Sequence, residues 1–219
     1  MYKRQPFTSG QLATLNNAGL IDMSTDSSST TDSLTVNGNY IGTGGRLALQ
    51  TMLGADNSPS DKLVVSQGTL LGATAISITN LGGAGALTVK DGIEVVQATQ
   101  GATSSVGAFS LAGPVSAGAF DYHLFRGGVT AGTEQNYYLR STVPAQPTPD
   151  AVITPPTPAP GTPALPPNPG NTAIPLYRAE VPVYAVLFQA AEQIVQGMLG
   201  TYHERVGDQR QQQQTGVFP

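Results

Sequence analysis

Any chemistry in this chain has to come from a short set of residues. His123 and His203 are the only histidines, and there is no cysteine. A thiolate zinc or iron–sulfur site, a cysteine nucleophile and a disulfide scaffold are therefore excluded. His123 falls inside an alternating strand-like pattern and His203 near the end of a helical one. Ser116, in Gly113-Pro-Val-Ser-Ala-Gly118, lacks the spacing of a nucleophile elbow, and a turn is the expectation there. Asp56-Asn-Ser-Pro-Ser-Asp61 clusters oxygens but has neither the glycine nor the distal glutamate of an EF-hand, so it reads as a loop between strands. Gly42-Thr-Gly-Gly45 and Gly82-Gly-Ala-Gly85 lack the following Lys-Ser/Thr and the opening helix of a phosphate cradle. Arg126-Gly-Gly128 occurs once, as a hairpin turn would. No catalytic, metal or cofactor-binding residue is expected.

The surrounding composition sets the class. Ten Lys+Arg against fourteen Asp+Glu give a net charge of −4 over 219 residues, so no nucleic-acid partner is expected. Charged residues make up 11%, against an average of about 25%. With 26 glycines and many Thr, Ser and Asn, this suits short strands joined by tight turns in an extracellular all-β chain.

Three segments differ in pattern. From about Gln11 to Thr142, apolar residues alternate in short runs: Leu34-x-Val36, Leu47-x-Leu49, Leu63-x-Val65, Ile76-x-Ile78, Ile93-x-Val95, Phe109-x-Leu111 and Phe120-x-Tyr122-x-Leu124. Period two places one set of side chains on a buried strand face. Asn37-Gly38, Gly44-Gly45, Gly82-Gly83, Asp91-Gly92 and Gly127-Gly128 supply turns between them. A sandwich, a barrel or a β-solenoid would fit, and no strict repeat period selects among them.

From Val143 to Leu176 lie 12 of the 17 prolines and one charged residue, Asp150. Proline removes backbone donors, so the segment is expected to join no sheet and to extend as a spacer on the order of 100 Å long. Beyond Pro182, Val183, Leu187, Ala190, Ala191, Ile194, Met198 and Tyr202 recur at helical spacing, predicting a helix over Val183 to Arg205. Gln189, Glu192, Gln193 and Gln196 in its middle argue against a lipid-spanning segment. The lumen of an outer-membrane barrel would suit such a helix, as would a soluble partner.

At the start, Met1-Tyr-Lys-Arg-Gln5 matches the translation of an adapter used in sequencing libraries. Residues 1–10 are thus expected to be artefactual or unstructured, and the chain to be an internal fragment.

Several stretches resemble a known family. Asn16–Met23 (NNAGLIDM), Leu34–Gly42 (LTVNGNYIG), Leu53–Val65 (LGADNSPSDKLVV), Tyr122–Gly128 (YHLFRGG) and Tyr137–Ser141 (YYLRS) look like the C-terminal passenger region of type Va autotransporters of the pertactin-like, AIDA-like group. Tyr177–Tyr184 (YRAEVPVY) and Gly200–Asp208 (GTYHERVGD) resemble the stretch leading into the translocator barrel.

The resemblance implies a right-handed parallel β-helix over 11–142 whose last rungs act as an autochaperone. It also implies a Pro-rich linker over 143–176, a pore helix over 177–206 leading to a barrel that is missing, and a polar tail over 207–219. The autochaperone core would be Phe109, Leu111, Phe120, Tyr122, Leu124, Phe125 and Tyr138, forming an aromatic cap. The pore helix would present Val183, Leu187, Ile194 and Met198. Expected partners are the chain's own translocator barrel, the outer-membrane barrel assembly machinery, and host or surface ligands through an upstream adhesin or virulence-type passenger. The location implied is the Gram-negative outer membrane and cell surface.

The competing reading is a fragment of a β-helix enzyme acting on polysaccharide, or of a carbohydrate-binding surface protein. An enzyme of that kind would cluster acidic and basic groups on one face. The 14 charged residues between Arg4 and Thr142 are instead scattered singly.

Overall fold

The computed structural model describes residues 2–4, 11–25, 28–145 and 154–214, with backbone alone at 2–4, 185 and 199–214. Its strands are β1 (Tyr2–Arg4), β2 (Ala13–Asn17), β3 (Leu20–Asp22), β4 (Ser33–Thr51), β5 (Lys62–Asn80), β6 (Ile93–Thr99), β7 (Thr103–Ser104), β8 (Phe109–Leu111), β9 (Val115–Ala117), β10 (Phe120–Arg126), β11 (Tyr137–Arg140), β12 (Thr142–Val143), β13 (Thr157–Pro158) and β14 (Ile174–Pro175). One helix, α1 (Val181–Gln214), follows. The chain divides into a β-unit, Met1–Arg178, and a helical unit, Ala179–Pro219. The expected all-β character with a single helix is present.

The pairing in the β-unit is parallel between successive passes of the chain. β4 and β5, each 19 residues long, run in register from Ser33 opposite Lys62 to Thr51 opposite Asn80. β1, β2 and β3 lie parallel to β4 on one side, and β6, β7 and β8 parallel to β5 on the other. Strands this long stay in one compact unit because they bend. β4 shifts register between Gly38 and Tyr40 and again between Thr43 and Gly45. The bends use positive φ at Gly38 and Gly44 in β4 and at Gln67 and Gly72 in β5. Alternation resumes beyond each bend, so Val36, Tyr40, Leu47 and Leu49 of β4 enter one core with Leu63, Val65, Leu70 and Ile76 of β5.

The parallel order ends at β6. There β11 pairs antiparallel with β6, β10 antiparallel with β11, and β13 antiparallel with β10. Two expectations change here. Tyr2–Arg4, within the ten residues expected to be artefactual or unstructured, pairs with β4 as strand β1. The Pro-rich segment, expected to stay out of any sheet, contributes β13 to β10 and β14 to β12. Proline lacks only the donor; its carbonyl still accepts, and its neighbours still donate. Ala159 N donates to Leu124 O at 2.9 Å, and Leu176 N to Ser141 O at 2.8 Å.

The helix starts at Val181, with Pro182 in its first turn, where a missing N–H costs nothing. Tyr177, expected in the helical segment, stacks on Phe120 in the β-unit with ring centroids 5.3 Å apart. α1 runs through the expected polar tail to Gln214. No helix among the described residues is long and apolar enough to cross a membrane.

Candidate functional site

The features a functional reading has to explain are concentrated at the C-terminal end of the β-unit. β10 and β11 form an antiparallel pair with His123, Leu124, Phe125 and Arg126 opposite Arg140, Leu139, Tyr138 and Tyr137. Alternation sends Leu124, Tyr137 and Leu139 into the main core, together with Tyr122. Phe125 and Tyr138, also buried, face each other across the pair on its other side. Phe109 is fully buried, whereas Leu111 and Phe120 pack against the core from its margin. The seven residues expected in one cap thus lie in three settings: main core, opposite face and rim.

Aromatic stacking runs deeper into the body than the expected cap. Phe109 stacks on Tyr40 with centroids 5.5 Å apart and meets Tyr137 edge-on at 5.0 Å. Each of these polar rings has its hydroxyl satisfied, as buried Tyr requires. Asn17 Nδ2 donates to Tyr40 Oη at 2.8 Å, and Tyr40 Oη lies 2.9 Å from Thr74 Oγ1. Tyr137 Oη donates to Ser105 O. Burial pushes the Tyr137 phenol up to about 12, so its O–H remains a donor at any physiological pH.

Tyr122 ties three passes of the chain together. Its hydroxyl accepts from Ala86 N at 2.9 Å and lies 2.8 Å from Gly54 O, an acceptor. Beside it, Ser141 and Thr88 are cross-linked: Thr88 N donates to Ser141 Oγ and Ser141 N to Thr88 Oγ1, both at 2.9 Å. Arg140 is fully buried and donates to Lys90 O and, at 3.5 Å, to Thr142 Oγ1. Desolvation holds its pKa down to about 10, offset in part by Asp56 and Asp91.

The two carboxylates of the Asp56–Asp61 loop, and Asp91 of the expected Asp91-Gly92 turn, are spent on backbone. Asp56 accepts from Val89, Lys90 and Gly92 N–H at 2.8–3.0 Å, Asp61 from Asp32 and Gln50 N–H at 2.9 and 2.8 Å, and Asp91 from Val129 and Thr130 N–H at 2.7 and 2.8 Å. Each fastens one loop to the loop of an adjacent pass. These are structural clamps, each carboxylate holding backbone N–H groups of the chain around it.

Ser116, expected in a turn, lies in β9 opposite Asp121. His123 is half-buried, and burial lowers its pKa against the pull of Asp121. It borders a cavity of about 400 Å³ with Leu111, Pro114, Asp121 and Pro160. The helix residues Val183, Leu187, Ile194 and Met198 stand 60–70% exposed. His203 and Tyr202 have side chains outside the described set.

The two ends of the β-unit differ. At the C-terminal end Tyr122, Leu124, Tyr137 and Leu139 are completely buried. On the N-terminal side, β2 and β3 pair with β4 alone among the described strands, and Leu12 and Leu20 are 47% and 61% exposed.

Comparison with known proteins gives the same direction. The sequence model of the autochaperone domain type 1 family matches residues 10–124. The chain is 40% identical over 184 residues to the adhesin BmaC autotransporter of Brucella suis biovar 1, covering 80% of this chain and 5% of that protein. It is 40% identical over 126 residues to the probable autotransporter YfaL of Escherichia coli strain K12, covering 54% of this chain and 9% of YfaL. With the autotransporter adhesin AIDA-I of Escherichia coli, identity is 36% over 118 residues, covering 53% of this chain and 9% of AIDA-I. The chain therefore spans a small part of each of these relatives.

Proposed function

The chain belongs to the type 1 autochaperone family of autotransporter passengers, and on that footing we propose that it is the segment that folds first outside the cell and seeds folding of the passenger upstream. Members of this family are outer-membrane and cell-surface proteins with extracellular passengers, and the family has a translocator barrel as partner. The role is secretion and folding, without catalysis.

The observation that carries the proposal is the contrast between the two ends of the β-unit. An elongating parallel stack needs one sealed end, so that its core is closed without further chain, and one open edge, onto which the next pass can pair. The C-terminal end buries Tyr122, Leu124, Tyr137 and Leu139 under antiparallel strands. The N-terminal edge at β2 and β3 offers strand backbone and exposed leucines. On this reading, growth proceeds from the C-terminal end towards the N-terminus. Each added pass loses the backbone freedom needed to slide back, which makes folding a ratchet on export.

In the finer reading, residues 11–142 are the end of a right-handed parallel β-helix, closed by Phe109, Leu111, Phe120, Tyr122, Leu124, Phe125 and Tyr138 from core, rim and opposite face together. The parallel ladder β4–β5–β6 and its single core support it. The upstream passenger is of adhesin or virulence type and meets host or surface ligands, and the barrel assembly machinery inserts the barrel. In a full-length parent carrying Leu124→Asp, display of the upstream passenger measured by surface proteolysis tests this reading; loss is expected.

Residues 177–206 are the segment entering the barrel. α1 presents Val183, Leu187, Ile194 and Met198 as exposed apolar side chains, which supports a surrounding wall. A structure of a parent with its barrel is expected to show these residues inside the lumen; a helix lying outside ends that reading.

A further inference from the structure

The Pro-rich segment is stored against the β-unit by ties at its two ends. At the first end, Thr157 and Pro158 lie opposite Arg126 and Phe125, and Ala159 N donates to Leu124 O at 2.9 Å. At the other, Leu176 bridges β10 and the bend between β11 and β12: its N–H donates to Ser141 O at 2.8 Å and its C=O accepts from Asp121 N at 2.9 Å. Ile174 and Pro175 lie opposite Val143 and Thr142, Arg178 N donates to Ala119 O at 3.0 Å, and Tyr177 stacks on Phe120.

Between these ends the attachment is sparse. Asn168 is buried, and its amide donates to Val143 O and Pro144 O, while Pro160 to Pro163 pass over the cavity of about 400 Å³ rather than packing onto β10. The β4–β5 ladder, by contrast, is paired along 19 residues. Only Ala179 and Glu180 separate Arg178 from the first helical residue, Val181.

We propose that this segment is an extensible tether: under tension from the helix side it peels off the β-unit before the unit itself unfolds, and it re-docks when the load falls. Pulling on Val181 loads Arg178 first, then Leu176, then Asn168, then Ala159, so the ties break one after another. The parallel ladder shares its load over many bonds and opens only globally. Release frees roughly 25 residues, a lengthening on the order of 80 Å at about 3.1–3.6 Å per residue. Re-docking is favoured because proline-rich chain has little backbone freedom to lose. The inference concerns the segment alone and stands whether or not α1 enters a barrel.

The test is single-molecule stretching of the full chain. The chain has no native cysteine, so Leu71→Cys on β5 and Val186→Cys on α1 give unique handles, both at exposed positions. A first transition is expected at a several-fold lower force than the second, lengthening the tether by on the order of 80 Å or more and reversing on relaxation. Adding Leu176→Ser is expected to lower the force of the first transition and leave the second unmoved. A single transition for segment and β-unit together overturns the proposal. So does a tether already lengthened at negligible force.

Discussion

Leu124→Asp abolishes surface display of a full-length parent while its barrel still inserts in the membrane. Leu124 is fully buried in the main core, faces Leu139 across the β10–β11 pair, and sits in the layer that closes the C-terminal end. A carboxylate there would sit among the apolar side chains of the main core. Burying it unpaired costs several kcal/mol, comparable to the whole stability of a typical domain, about 5–15 kcal/mol. The sealed end then fails to form, and no edge exists for upstream passes to pair with. Phe120→Asp has a smaller effect, because Phe120 is half-buried at the rim and stacked on Tyr177. Protease accessibility of the passenger, with inserted barrel quantified in the same cells, reads both variants. Normal display with Leu124→Asp contradicts the account.

Gly72→Val has the second large effect, on stability of the isolated chain. Gly72 bends β5 at φ +84°, opposite Gly42 of β4, and a Cβ there would lie 2.0 Å from Gly42 O. Two penalties combine: a β-branched residue in the left-handed region, and a clash with backbone that cannot move without opening the ladder. A loss of roughly 4 kcal/mol or more is expected, in the range reserved for core disruption. Gly44→Ala separates the penalties. Gly44 has φ +81° but open space at the Cβ position, so a loss of only about 1–2 kcal/mol is expected from the backbone alone. Denaturant unfolding measures both. Equal losses would mean that close stacking of the bends does not matter.

The sequence made the inward-facing residues visible but not how the chain joins them. Leu34-x-Val36 and Leu47-x-Leu49 read as two strands, yet both lie in β4, with bends at Gly38 and Gly44 between them. The same holds for Leu63-x-Val65 and Ile76-x-Ile78 in β5. No repeat period is detectable because the offset between paired residues varies: Ala13 lies opposite Gly38, Ser33 opposite Lys62, Leu63 opposite Val96 and Thr74 opposite Phe109. Loops absorb the differences while the ladder stays in register.

Tyr40, in the body of the core, and Tyr137, at the sealed end, both follow the alternation of their strands. Tyr40 continues the inward phase of Val36, and Tyr137 that of Leu139. The docking of the Pro-rich segment is not legible in its composition, which reports lost donors and is silent on retained acceptors. Ala159 and Leu176 supply backbone N–H groups, and Asn168 its side-chain amide, to its docking. The helix extended past Arg205 because its last residues include the Gln211–Gln214 tract, and glutamine is a good helix former.

The central claim is that folding starts at the sealed C-terminal end. Its most direct test is the order in which parts of a full-length parent become protease-resistant at the cell surface after a synthesis pulse. The account predicts that a protected fragment containing residues 33–143 appears first and then lengthens towards the N-terminus. Protection appearing first in upstream passenger, before this fragment, would contradict it.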